Sequence, residues 1–431
     1  MIRAGIGQTF EAFGVGLFRL HWMLTVMAFM AFSMSFAAVT PVVAREIGGD
    51  NSSVALVVAG QGIAWFFIGP YAGALTDRLS KRRLIALAQT AIAINFAVLG
   101  YLVLTDRITI VALTVSGLLM GACFAFTGPA RRAYVADIVP SRLVGNGVAL
   151  LQTGLTFPQS VAPVLGSLLL IAPFIGPEGA YFVMAGILVV TIISLSLMPA
   201  GAPRKAPRGS VTREILLGLR YAASQPRLRI LLAALMLITA VTGPYQALLP
   251  GMLEEELGLE ARNLGLLTWP LGVGSFVVGL SVAGVVGTRW SGRVMFVMGT
   301  AFGVGVALLG VTPNPLVMLP VVFLIGSGFS AFQTLNTAET IRQSDQQFHG
   351  RITSLTFVPF GVQSFATLFV GPAADWFGVR LVLVSMGLAG IVISLLFGAL
   401  YLRVRDRPPP TVEQVIRRTL RPIAAAMRPQ K

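Results

Sequence analysis

Gly73-Ala-Leu-Thr-Asp77-Arg78-Leu-Ser80-Lys81-Arg82-Arg83 stands between Trp65-Phe-Phe-Ile-Gly-Pro and Leu84-Ile-Ala-Leu-Ala. One carboxylate and four cations thus interrupt two apolar runs. An ionised side chain is costly in hydrocarbon, so such a cluster belongs where a membrane ends. The break therefore reads as a loop joining two membrane spans.

Composition agrees. Of 431 residues, 55% are hydrophobic and 11% are charged, and mean hydropathy is +0.81. A soluble domain carries about 25% charged residues, so the chain is expected to be a polytopic membrane protein. The apolar pattern gives twelve spans, at about 18–44, 51–75, 82–104, 108–136, 143–172, 178–199, 228–253, 263–287, 293–311, 315–340, 350–374 and 379–402. The polar lead and the long first run do not have the form of a cleavable signal peptide. With the N-terminus assigned to the cytoplasm, 28 of the 32 Lys and Arg fall on that side. Arg45, Arg107, Arg262 and Arg380 fall on the other. The net charge of +15 is thus a topology signal, with some attraction to anionic membrane lipids, and no nucleic-acid partner is expected. Both termini are expected in the cytoplasm.

The chain divides near 200–227, where Gly-Ala-Pro-Arg-Lys-Ala-Pro-Arg-Gly-Ser precedes an amphipathic stretch carrying Ile215, Leu216, Leu219 and Ala222 at helical spacing. Ser210 or Thr212 is the expected cap, and the helix is expected to lie on the membrane surface. The predicted organisation is a first six-helix bundle (1–199), a cytoplasmic linker (200–227), a second bundle (228–404) and a basic tail (405–431). An offset of 209 residues relates Gly117 to Gly326, Arg142 to Arg351 and Pro163 to Pro372. The fold class is therefore all-α, twelve transmembrane helices in two related bundles.

The Gly73–Arg83 loop resembles the one between the second and third spans of major facilitator superfamily (MFS) transporters, whose pattern is Gly-x-Leu-x-Asp-Arg-x-Gly-Arg/Lys-Arg/Lys. Ser80 stands where the family usually has glycine. The resemblance implies alternating access by rocking of two bundles. It also implies gating residues at Gly73, Asp77, Arg78, Lys81 and Arg82, with Arg142 and Arg351 at the starts of spans five and eleven. Span five, with Gly154, Pro158, Ala162, Pro163, Gly166 and Ser167, resembles the Gly-Pro-x-x-Gly-Gly element of MFS exporters, with Ala162 and Ser167 replacing two glycines. The element tilts the reading modestly towards export, and ordinary close packing of small residues explains it nearly as well.

In this family spans one, four, seven and ten line the cavity. The candidate lining residues here are Met30, Ser33, Met34, Cys123, Phe124, Phe126, Tyr245, Gln246, Phe332, Gln333 and Asn336. Methionines and aromatic rings make adaptable apolar surfaces, which suit a lipophilic or amphipathic substrate. The middle of span four, Leu113–Phe124, carries no charge and span one carries no acid at depth, where proton-coupled drug exporters commonly place such groups. Glu339 and Asp137 are the proton-carrier candidates. No phosphate-binding Gly-x-x-x-x-Gly-Lys-Ser/Thr motif occurs, and no enzyme motif. One cysteine and two histidines offer no metal centre or disulfide, and no cofactor is expected. The expected function is a monomeric secondary exporter of a drug or siderophore-like metabolite, protons being possible counter-ions. A lipid or lysolipid translocator, or an importer or uniporter, is the alternative. The preponderance of arginine over lysine, 29 to 3, suggests a GC-rich bacterial genome and hence an inner membrane.

Overall fold

The computed structural model describes residues 10–78, 80–200, 211–312, 314–345, 348–349, 352, 355–356 and 358–404, the side chains of 70, 72–78, 211–216, 280 and 283 lying outside that description. Its long helices are α1 (Gly16–Gly48), α2 (Asn51–Arg78), α3 (Lys81–Leu104), α4 (Ile110–Ile138), α5 (Val144–Ile171), α6 (Gly176–Leu195), α7 (Pro226–Glu256), α8 (Leu264–Ser281), α9 (Ser291–Gly310), α10 (Pro315–Arg342), α11 (Val358–Phe377) and α12 (Val379–Arg403). Among the described residues ten helices are long and apolar enough to cross a membrane. No strand occurs among the described residues. In hydrocarbon a helix satisfies its own backbone, whereas an open sheet edge cannot.

Local chemistry sets the helix ends. Thr109 and Asn314 cap α4 and α10, the corresponding spans of the two halves, by accepting from the N–H groups of Ala112 (3.2 Å) and Val317 (3.0 Å). Gly49 closes α1 at φ 70°, a left-handed conformation that glycine adopts without penalty. Span eight is shorter than its apolar run, because the helix gives way at Val282–Val285 to a 3₁₀ turn.

The halves pack alike. In the first, α2 lies on α4 and α3 on α6; in the second, α8 lies on α10 and α9 on α12. Two seams join them, α2 against α11 and α5 against α8. Small residues let the backbones approach closely at both. The Gly265 N–H donates to Ser167 Oγ at 2.7 Å, and a Cβ at Gly265 would lie 1.7 Å from the Pro163 carbonyl oxygen. A Cβ at Gly371 would lie 2.6 Å from the Cβ of Ala55. The proline-containing elements of spans five and eleven therefore occupy equivalent places, one on each seam.

Between the halves, the linker helix (Val211–Ser224) docks through Tyr221, whose ring stacks on Phe348 at 4.0 Å beside Ile352 and Leu355. The phenol oxygen accepts from the Asp345 N–H (2.8 Å) and from Gln225 (3.1 Å), and burial pushes its pKa above the ordinary value. Leu219 remains exposed on this helix.

The seam geometry makes a stability prediction. Gly265→Ala should destabilise the folded protein by about 1–3 kcal/mol through overpacking. Gly186→Ala on α6, where a Cβ meets open space, should be neutral or slightly stabilising. Thermal unfolding in lipid nanodiscs compares them; equal midpoints would refute the close seam.

Candidate functional site

Opposite the linker, the two halves are tied together by charge. Arg45 near the end of α1 is 7% exposed, and its Nε and Nη2 donate to Glu254 (2.6 Å) and Glu255 (2.8 Å) of α7. Asn51 Nδ2 donates to Glu255 and to Asp375 of α11, each at 3.0 Å. The N–H groups of Asn51 and Ser52 opening α2 donate to the Asp375 carboxylate at 2.8 and 3.0 Å, an anion on a helix N-terminus. Arg262 donates to Glu46 at 2.6 Å, again across the halves, and that carboxylate raises its pKa. Arg380 pairs with Glu256 within the second half.

A local irregularity makes this convergence possible. Met252–Glu256 form a π-helical turn at the end of α7. Widening the turn spreads the three consecutive glutamates so that Glu254 and Glu255 reach the first half and Glu256 reaches Arg380. Three of the four basic residues assigned to this side by charge counting, Arg45, Arg262 and Arg380, belong to the network.

At mid-height an aromatic chain crosses from one half to the other. Phe29 and Phe32 of α1 meet Phe124 of α4 at 5.5 and 4.7 Å. Phe124 meets the edge of Trp65 of α2 (5.2 Å), and Trp65 stacks on Phe360 of α11 at 5.7 Å. The chain continues through Phe329, Phe302 and Tyr245 with centroid distances of 6.4, 5.3 and 6.2 Å. Offset and edge-on rings at such distances attract weakly, about 0.5–1.5 kcal/mol each beyond their burial.

The sequence-derived lining residues divide. Phe124 and Tyr245 lie on this chain, while Met30, Phe126, Gln246 and Gln333 are half-buried. Ser33, Met34 and Cys123 are buried in the first bundle. Phe332 is buried against Phe296 and Gly299 inside the second. Asn336 is also buried there, donating to the Leu231 carbonyl at 3.0 Å and so joining α10 to α7. Trp65, Phe329 and Phe360 were not among the sequence candidates. Their signal was an aromatic residue at the middle of spans two, ten and eleven.

Among the gating candidates, Arg351 lies outside the described residues, as do the side chains of Gly73, Asp77 and Arg78. Lys81 is fully buried and pairs with Asp137 at 3.1 Å, joining α3 to α4. Arg82 donates to the carbonyls of Met198 (2.5 Å) and Ser196 (3.3 Å) just beyond α6, a cation on a helix C-terminus. Arg142 is exposed and pairs with Glu11. Glu339, 2% exposed, accepts from Arg342 Nη2 at 2.8 Å and from the Tyr401 hydroxyl at 3.2 Å. No cluster of metal-ligating residues occurs among the described residues.

Comparison with known proteins gives a family and several relatives. The family model described as Major Facilitator Superfamily matches residues 22–360. The chain is 24% identical over 379 residues to the enterobactin exporter EntS of Citrobacter koseri, covering 86% of this chain and 89% of that protein. It is 23% identical to the EntS of Shigella boydii, covering 73% and 75%. Among solved structures, the nucleoside transporter NupG superposes with a TM-score of 0.74 at 13% identity, covering 90% of this chain and 100% of that one. A bacterial homologue of the human lysosomal transporter Spinster, inward-facing and unoccupied, gives 0.71 at 12%, covering 91% and 98%.

Two measurements follow from the charges. Arg45→Ala should weaken closure at this end by about 1–3 kcal/mol, the glutamates being partly solvated. A cysteine introduced at Leu257 should then react with a membrane-impermeant thiol reagent about tenfold faster; an unchanged rate would deny Arg45 its closing role. Asp137→Asn should destabilise by up to about 3–5 kcal/mol, because it takes the Asp137 charge away from the buried Lys81 ammonium. Wild-type unfolding in that variant would free Asp137 for another role.

Proposed function

The chain belongs to the Major Facilitator Superfamily, and from that membership we propose that it is a secondary exporter of a lipophilic or amphipathic small molecule. The observation that carries this reading is the aromatic chain at mid-height beneath a charged closure. Flat, polarisable rings from both halves meet at Trp65 and Phe360, where a substrate shared by the two bundles would sit. Such rings bind apolar bodies of varied shape and offer little to a sugar or a small anion. Similarity to enterobactin exporters supports the outward direction.

Alternating access follows from the two contact types. The α2/α11 and α5/α8 seams permit tilting of one bundle on the other, and the Arg45 network opposes opening of one end. A substrate that is held better when that network is broken shifts the population between the states. The excess of Lys and Arg at the linker end supports placing that end, and both termini, in the cytoplasm of a bacterium, with the protein in its inner membrane. The Arg45 end then faces outward. Protons are the proposed counter-ions, with Glu339 and Asp137 the carboxylates to test. The proposed gating role of Asp77 and Arg351 belongs to the linker end, and the proposed working unit is the monomer.

The purified protein in vesicles, given a lipophilic dye and an imposed pH gradient, tests this. Gradient-driven dye movement at least tenfold above empty vesicles is expected, and Phe124→Ala with Trp65→Ala should reduce it severalfold. Scrambling of labelled lipid without dye movement would replace the exporter reading with a lipid translocator.

A further inference from the structure

Lower in the first bundle, towards the linker end, α4 carries two consecutive arginines, Arg131 and Arg132. Arg131 of α4 is buried, 3% exposed, and its Nη1 donates to the Thr25 hydroxyl of α1 at 2.7 Å. Its Nε is buried without an acceptor. His21 and Thr25 fix the local geometry, the His21 ring bonding to the Arg131 carbonyl (3.2 Å) and Thr25 to the His21 carbonyl (2.8 Å). Arg132 is exposed and donates to Gln152 of α5 at 3.4 Å. Arg131 thus reaches α1 and Arg132 reaches α5, so the two side chains run along the side of α4 that meets α1 and α5. One turn above Arg132, a Cβ at Gly128 would meet nothing within 4 Å, so this face of α4 is open.

Among the described residues no carboxylate pairs with either arginine. The nearby acids are engaged elsewhere, Asp137 with Lys81 and Glu11 with Arg142. A buried guanidinium whose one side-chain partner is a neutral hydroxyl has lost hydration without gaining a counter-charge. Its donors form a planar fork, which matches an oxyanion.

We propose that Arg131 and Arg132, held by Thr25 and Gln152, form an oxyanion-recognition site that takes the acidic headgroup of an amphipathic substrate, whose apolar body extends towards Phe124. The site rests on the transport reading and narrows it, from any lipophilic molecule to one with an acidic end. Phe124 lies two helical turns from Arg131 on α4, about 10 Å at 1.5 Å per residue. That separation suits an acidic group followed by a ring system or a short alkyl chain.

The test uses the full chain in phosphatidylcholine nanodiscs, titrated with dodecyl phosphate or dodecanol and read by tryptophan fluorescence against empty discs. Dodecyl phosphate is expected to bind at least tenfold more tightly than dodecanol. Arg131→Gln and Arg132→Gln should each reduce that preference to threefold or less, and Arg131→Lys should retain part of it. Arg132 is exposed, so its variant keeps the test sound if Arg131→Gln does not fold. Competition by inorganic phosphate supports the site for a free anion; competition by phosphatidylglycerol in the disc supports it for a lipid headgroup. Equal binding of phosphate and alcohol, or an unchanged preference in the Arg132→Gln variant, would overturn the proposal. Binding is read at equilibrium. Absent dye movement with the preference intact counts against the transport reading alone, and dye movement without the preference counts against this site alone.

Discussion

Arg45 is a guanidinium withdrawn from water at the place where the halves of the molecule exchange charge. Its two carboxylate partners belong to the other half, so the ion pair and the closed arrangement stand or fall together. Elsewhere the halves meet through apolar surface and small residues, which hold them laterally and do little to select one tilt over another. Asn51, Ser52 and Asp375 add a second tie beside it. The conformation therefore depends on a few charge-assisted bonds set at one end of a long lever.

Fold and site differ in how far they can be read from the chain. Span number, the break near residue 200 and the charge bias are all visible in composition, because the cost of charge in hydrocarbon governs them directly. Helix rotation is another matter. Spans such as α4 and α10 are apolar all round, so no stripe distinguishes lipid, core and cavity. Phe332 and Phe124 look alike as residues, yet one is a core side chain of the second bundle and the other joins the aromatic chain. Asn336 reads as a ligand-orienting amide and instead holds α10 to α7, satisfying a donor that would otherwise be stranded. Arg131 reads as part of a polar span end, and its neutral partner is apparent only once Thr25 is brought beside it.

Symmetry explains what a faint repeat means physically. Only three residues mark the 209-residue offset, but the packing it implies is complete: matching helix pairs within each half and matching seams between them. Pro163 and Pro372 sit on those seams beside Gly265 and the Gly371–Ala55 contact. Small size at these points is a geometric requirement. Side-chain identity elsewhere in the spans is free to vary within apolar limits, which is how sequences 13% identical share this architecture.

The widened turn at Met252–Glu256 bears on how the chain can change over time. A π turn holds one residue more than a regular helical turn, so removing a residue there would restore a straight helix. The cost would fall on the carboxylates, since the widened turn is what spreads the three consecutive glutamates around the axis. Glu254, Glu255 and Glu256 could not then all keep their partners. Deletions in this turn should therefore be tolerated only alongside changes at Arg45 or Arg380, which ties the length of one helix to the chemistry of two others.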